Sequence, residues 1–130
     1  MLPRLLQDDI VAHARAEFPR ECCGMIAGKS GVARRVLCCA NDHPTPETRY
    51  RVSSRDLPLA VRIEDEGLEL TAIYHSHPRS PAFPSPTDRA EARWPDSLHV
   101  LVSLLGEPPE LRAFRILDPK TAVEAEVVTG

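Results

Sequence analysis

Thirteen prolines constrain the fold of this 130-residue chain more than any other feature of its sequence. Their number is about twice the usual share, and most of them fall between segments of regular hydrophobic spacing. Because proline interrupts helix interiors and central strands, the segments between prolines must form short elements joined by stiff loops. A chain of this length has room for one core, and we expect a single domain over residues 1–130.

The hydrophobic spacing predicts helices and strands in a mixed order. Residues 6–18 and 54–67 carry apolar side chains at helical intervals, and Ser54 can cap the second of these helices. A third, short helix is predicted to begin at Ser85 and to end near Trp94 and Pro95. Strands are predicted over residues 22–27, 32–40, 49–53, 68–75, 98–105, 111–117 and 122–128. The expected fold is α/β (α+β): a mixed, largely antiparallel sheet flanked by helices.

Composition argues against several kinds of partner. A formal net charge of -3 gives no long-range attraction to nucleic acid or to an anionic membrane, so neither is expected. The N-terminus carries no apolar run of signal-peptide length, and no stretch of 18 apolar residues occurs, which favours a cytoplasmic protein.

The four cysteines form two adjacent pairs, at 22–23 and 38–39, unlike a zinc knuckle or a secreted disulfide framework. One cysteine of each pair is expected to face the core.

Two histidines directly after a predicted strand are the first candidate for chemistry. His75 and His77 are two residues apart, so a strand would direct both imidazoles to the same side. Asp88 follows eleven residues later, at the start of the third helix, and the intervening loop can bring its carboxylate to them. Two histidines and one carboxylate are typical of a catalytic zinc site, because a fourth position stays open for water.

Glu21 and Ser85 complete the candidate site. Glu21 precedes an apolar strand and is the best candidate for the general base that would take a proton from the attacking water. Ser85 lies three residues before Asp88, where its hydroxyl could donate to an oxyanion. The same spacing equally fits a capping box, in which Ser85 and Asp88 only stabilise the start of a helix.

Together these residues resemble the signature of the JAMM (MPN-plus) metalloprotease family. The signature consists of Glu21, then His75-Ser76-His77-Pro78, six residues, Ser85, two residues and Asp88. The segment from Glu21 to Gly28 is similar to the family's first strand. The short bacterial members share a further segment, represented here by Asn41, Pro46, Tyr50 and Arg51. The resemblance covers nearly the whole chain.

The resemblance implies a JAMM/MPN fold with a cytidine-deaminase-like αβα architecture and one zinc ion per chain. It implies that His75, His77 and Asp88 hold the metal, that Glu21 is the general base and that Ser85 serves the oxyanion. The reaction implied is hydrolysis of a peptide or isopeptide bond after the Gly-Gly tail of a ubiquitin-like or sulfur-carrier protein. The oligomeric state, including a homodimer, stays open.

Other functions fit the sequence less well. A nucleobase deaminase would need His-x-Glu and a later Cys-x-x-Cys, which this chain lacks. A non-catalytic scaffold of the same fold and a zinc hydrolase acting on a small amide are the alternatives. Ordinary surface or core roles are predicted for the isolated His13, His43 and His99, and packing roles for Trp94 and Phe114.

Overall fold

A six-stranded sheet forms the centre of the protein in the computed structural model, which describes residues 1–92 and 97–129. The strands are β1 (Cys23–Lys29), β2 (Val32–Cys39), β3 (Glu69–His77), β4 (Leu98–Ser103), β5 (Glu110–Asp118) and β6 (Thr121–Ala125). The helices are α1 (Arg4–Glu17), α2 (Leu59–Asp65) and α3 (Pro86–Ala90).

The order of strands across the sheet is β2-β1-β3-β4-β5-β6. Every neighbouring pair is antiparallel except β3 and β4, which run parallel. Parallel neighbours need a long crossover connection, and here the connection is the segment that contains α3. The predicted hairpin, the C-terminal meander and the mixed, largely antiparallel sheet are thus confirmed.

Helices cover both faces of the sheet. On one face, Ile10 and Ala14 of α1 pack against Ile26 and Tyr74, and on the other face Ile63 of α2 packs against Ile73.

The coverage of both faces by helices explains a difference from the sequence-based expectation for the cysteines. One member of the second pair is buried and one exposed, as predicted, whereas both Cys22 and Cys23 are buried because each face of β1 lies under a helix.

Several element boundaries differ from the predicted ones. The second helix begins at Leu59, not near Ser54, since Pro58 disfavours a helical conformation for the residue before it. In place of the strand predicted over residues 49–53 there is one isolated bridge, between Asn41 and Val52. The last strand ends at Ala125. The third helix ends at Ala90, and the predicted end near Trp94 and Pro95 lies outside the described residues.

Three residues predicted to have structural roles are buried or bonded to a buried side chain. Phe114 is part of a small cluster with Ala82 and Leu101 on the α2 side of the sheet, and His99 is buried in β4. The Nδ1 atom of His13 lies 2.7 Å from the hydroxyl oxygen of Tyr74.

Within the part of the chain that the structure describes, there is no helix with the length and hydropathy needed to span a membrane.

Candidate metal centre and groove

The two candidate histidine ligands lie at the carboxyl end of β3, on the face that α2 covers. Strand alternation puts His75 and His77 on the same side as Ile73, and both side chains are buried, with 1% and 4% exposure. Their Nε2 atoms are 3.2 Å apart. The sequence-based expectation that both imidazoles face one point is met by this geometry.

Asp88 reaches the histidines from the first turn of α3. Its Oδ2 atom lies 2.9 Å from Nε2 of His77 and 3.2 Å from Nε2 of His75. The same oxygen accepts the backbone N–H of Ser85 at 2.9 Å, and the backbone N–H of Asp88 donates to Ser85 Oγ at 3.0 Å. The capping box is therefore present, and it presents the carboxylate to the histidines instead of withdrawing it.

The protonation of Asp88 follows from these contacts. Burial alone would raise its pKa, but the two histidines and the N–H of Ser85 outweigh burial and hold the pKa of the carboxyl well below its usual range. Asp88 is thus an anion with an oxygen directed at two imidazole nitrogens.

These three residues fit a zinc ion. Around tetrahedral zinc with bonds of about 2.0 Å, ligand atoms lie about 3.3 Å apart, which is close to the separations given above. His77 Nδ1 lies 2.8 Å from the carbonyl oxygen of Pro81, a contact that places the ring proton on Nδ1 and leaves Nε2 as the donor atom. Within residues 1–92 and 97–129, this is the single group of His, Cys, Asp and Glu side chains close enough to share a metal ion.

Tyr50 packs against the ring of His75. The ring centroids are 4.3 Å apart with an interplanar angle of 18°, so the two rings are stacked. Burial raises the pKa of the Tyr50 hydroxyl, which stays neutral. The resemblance implied that Tyr50 borders the site, and in the structure its ring stacks on one candidate ligand.

Glu21 is buried beside this cluster, with 5% exposure, and its Oε1 atom has no hydrogen-bond partner. Burial raises the pKa of the carboxyl to about 8, and the negative charge of Asp88 adds to the effect while His77 opposes it. A buried carboxyl with an unsatisfied oxygen is costly, and such groups concentrate at functional sites. A cation between His75, His77 and Asp88 would favour the charged form of Glu21.

Ser85 can serve two functions at once. Its Oγ accepts the N–H of Asp88 as the helix cap, and accepting a hydrogen bond leaves its own proton free to donate. The two sequence-based alternatives for Ser85, helix cap and oxyanion donor, are therefore compatible. The cap is observed, and the donor role stays a prediction.

A groove of about 720 Å³ borders Asp88. One wall is the segment between β2 and α2, and the other is α3 with the residues that follow it. Its lining includes Asp42, His43, Arg49, Tyr50, Arg51, Val52, Leu57, Thr87 and Glu91. Arg49 and Glu91 come from opposite walls and form an ion pair of 3.7 Å. On another side of the same segment, Glu47 pairs with Arg79 at 3.8 Å.

Comparison with known proteins places the chain in a family. Residues 3–117 match the family of prokaryotic homologs of the JAB domain. A protein of Thermus thermophilus described as "Probable TtuB-protein conjugate cleaving protease" is 47% identical over 94 residues, which cover 72% of this chain and 63% of that protein. A CysO-cysteine peptidase of Mycobacterium tuberculosis is 40% identical over 117 residues, covering 87% of this chain and 80% of the peptidase.

Solved structures agree with this assignment. A protein of Desulfitobacterium hafniense superimposes with a TM-score of 0.87 at 27% identity, covering 99% of this chain and 91% of its own. A JAB1/MPN domain protein of Archaeoglobus fulgidus superimposes with a TM-score of 0.65 at 18% identity, covering 98% and 96% of the two chains. The expected JAMM/MPN fold is confirmed, and the chain belongs to the prokaryotic JAB-domain family.

Proposed function

We propose that this protein is a zinc-dependent peptidase that cleaves the bond following the Gly-Gly tail of a ubiquitin-like or sulfur-carrier protein. One observation carries the proposal: three donor atoms of His75, His77 and Asp88 converge within 3.2 Å beside a buried, unpartnered carboxyl. Relatives described as a CysO-cysteine peptidase and a conjugate-cleaving protease support the class of substrate.

In the proposed reaction each side chain has one task. Zinc held by His75, His77 and Asp88 supplies Lewis-acid chemistry, acidifying water and polarising a carbonyl group. Glu21 takes a proton from the attacking water and later gives it to the departing amine. The hydroxyl of Ser85 donates a hydrogen bond to the oxygen that becomes negatively charged.

The groove is suited to an extended, narrow peptide. It borders Asp88 and lies between two walls whose side chains carry both positive and negative charges. Glycines would pass between the walls without side chains to clash, and main-chain hydrogen bonds would supply the affinity. We therefore propose that the Gly-Gly tail occupies this groove, which places the scissile bond near the metal ligands.

The test uses a small carrier protein ending in Gly-Gly, fused at its terminus to a short peptide or to cysteine. With zinc, mass spectrometry should show release of the added group and a carrier ending in Gly-Gly. A matched fusion with Ala-Ala should be cut at least tenfold more slowly. Equal cleavage of both fusions would contradict the assignment of the tail.

A scaffold function is the alternative that the same experiments exclude or establish. A scaffold would have no need for a complete set of metal ligands or for a buried carboxyl next to them, and both are present. A protein that remains folded without zinc and cleaves neither carrier fusions nor small amides with zinc added would favour the scaffold.

A further inference from the structure

Glu21 is not held by the hydrogen-bond ladder of the sheet. The first residue of β1 is Cys23, which pairs with Cys39 and His75, and Glu21 lies two residues before it. Its neighbour Cys22 is bonded to Ser76 of β3, whereas the main-chain groups of Glu21 itself are bonded by the loop of residues 41–51, which connects β2 to the α2 segment.

Both main-chain polar groups of Glu21 bond to this loop. The N–H of Glu21 donates to the carbonyl oxygen of Pro46 at 2.7 Å. The carbonyl oxygen of Glu21 accepts a hydrogen bond from Asn41 Nδ2 at 2.9 Å. The position of the Glu21 side chain therefore depends on the position of the 41–51 loop.

The side-chain amide of Asn41 organises that loop. Besides the bond to Glu21, its Nδ2 donates to the carbonyl oxygen of Arg49 at 3.0 Å. Its Oδ1 accepts the backbone N–H groups of His43 at 3.1 Å and of Arg51 at 3.0 Å. One amide thus ties Glu21 to both ends of the loop, using its two donors and both acceptor sites.

Among side chains, only asparagine and glutamine carry this amide with two donors and two acceptor sites, and glutamine places it one methylene farther from the backbone. Aspartate could accept from His43 and Arg51 but has no hydrogen to donate to Glu21 or Arg49, and its charge would repel both carbonyl oxygens. Alanine makes none of these bonds. Asparagine is therefore required by the combined donor and acceptor geometry.

We propose that Asn41 is a positioning residue for the reaction, acting on the attacking water only through Glu21. The inference rests on the proposed function for its kinetic consequence, since it takes Glu21 as the base. Its structural part, the anchoring of the Glu21 backbone, can be measured without any substrate.

The structural test is amide hydrogen exchange on the full-length protein. In Asn41→Asp and Asn41→Ala, exchange of the Glu21 amide should accelerate about tenfold or more, because its bond to Pro46 opens with the loop. Exchange along β3 should stay unchanged. Thr48→Ala is the matched control, because Thr48 bonds to the carbonyl oxygen of Thr45 within the same loop and does not contact Glu21. Unchanged exchange at Glu21 in Asn41→Asp would overturn the proposal.

The kinetic test is a double-mutant cycle with the carrier fusion. Asn41→Asp should lower kcat roughly 10²-fold with little change in KM and an unchanged zinc content, since a displaced catalytic group loses rate and not binding. When Glu21→Ala is already present, adding Asn41→Asp should change the remaining rate less than twofold. The same fractional loss in both backgrounds would show that Asn41 acts independently of Glu21 and would refute the proposal.

The two tests also separate this inference from the proposed function. If the wild-type protein cleaves nothing, or Glu21→Ala is fully active, the proposed function fails and the exchange experiment alone decides whether Asn41 anchors Glu21. If wild-type cleavage depends on Glu21 but Asn41→Asp is as active as wild type, the proposed function stands and the positioning role is wrong.

Discussion

At the scale of single residues, the site combines three candidate ligands in contact with one another with two buried atoms, His75 Nδ1 and Glu21 Oε1, that have no hydrogen-bond partner. His75, His77 and Asp88 form short contacts among themselves, whereas Glu21 Oε1 is buried without a partner. An unsatisfied buried oxygen is tolerated where it is needed for binding or proton transfer. Because only the three candidate ligands would bind the metal directly, substituting one of them should have different consequences from substituting Glu21.

We expect Glu21→Gln to bind zinc with wild-type stoichiometry and to lose roughly 10²- to 10⁴-fold in kcat, because the amide cannot take a proton. His77→Ala and Asp88→Ala should lose both metal and activity, since each removes a donor atom. Elemental analysis combined with the fusion-cleavage assay distinguishes the two groups. Near-wild-type turnover by Glu21→Gln would require a different base.

The raised pKa of Glu21 also predicts how the stability of the metal-free protein depends on pH. The folded-state pKa of about 8 lies above the ordinary value of 4.5, so the folded state holds a proton that the unfolded state releases. The contribution of Glu21 is complete below about pH 4.5 and is lost as the pH rises through about 8.

Urea unfolding with a chelator present should therefore show wild type losing stability relative to Glu21→Gln between pH 5 and pH 8. The comparison isolates Glu21, because the other titrating groups are common to both proteins. A difference in free energy of unfolding that stays constant over this range would mean that the carboxyl is already ionised when buried.

At the scale of elements, the short helix α3 matters more than its length suggests. Its N-terminal capping box holds the Asp88 carboxylate beside the histidines, so one local motif caps the helix and would also set the geometry of a bound metal ion. Ser85 is the residue that joins the two roles.

Ser85→Ala should lower the free energy of unfolding by about 1 kcal/mol through loss of the cap. It should also lower kcat by roughly 10²- to 10³-fold through loss of the oxyanion donor. Ser85→Thr, which keeps the hydroxyl, should retain most of the stability and most of kcat. A loss of stability with unchanged kcat in Ser85→Ala would leave Ser85 as a cap only.

Gly24 shows how the strands below the site are packed. A Cβ atom at this position in β1 would lie 2.3 Å from ring atoms of Tyr74, which is fully buried on the α1 side of β3. Gly24→Ala should therefore destabilise the protein by about 1–3 kcal/mol, because a buried ring has to move. Thermal unfolding measures the effect, and Gly106→Ala, where a Cβ meets no atom within 4 Å, is the control. Equal melting temperatures would show that the Tyr74 ring can shift freely.

At the scale of the whole molecule, the core and the candidate metal centre are separate sources of stability. The sheet buries its apolar residues in two clusters, under α1 and under α2, whose packing does not need a metal ion, and the candidate ligand His75 adds to the second through its stacking on Tyr50. We therefore expect the protein to stay folded when zinc is removed and to become more stable when it is added.

Free zinc at a thousand times its dissociation constant should raise the free energy of unfolding by about 4 kcal/mol. Melting curves with zinc and with a chelator measure the shift, and His77→Ala should show almost none. Complete unfolding when zinc is chelated would contradict the expectation that the hydrophobic core keeps the protein folded without zinc.

Sequence reasoning located the candidate ligands and most of the sheet, because these depend on local periodicity. A spacing of two residues on a strand is enough to direct His75 and His77 to one side, and the Ser85 to Asp88 spacing is enough to predict the cap. The start of α2 lies at Leu59 and not at the predicted Ser54, because Pro58 disfavours a helical conformation for the residue before it.

The order of most elements, the strand alternation that aligns the histidines and the residue types able to hold a metal can be read from the amino-acid sequence alone. The folded chain was needed to see that Asp88 Oδ2 caps a helix and faces two imidazoles together, and that Glu21 is held by Asn41 and Pro46. The contacts of Glu21 join residues that are far apart in the chain, and the contacts of Asp88 share one oxygen atom. Their distances follow from the packing of the loops against the sheet and not from any local pattern.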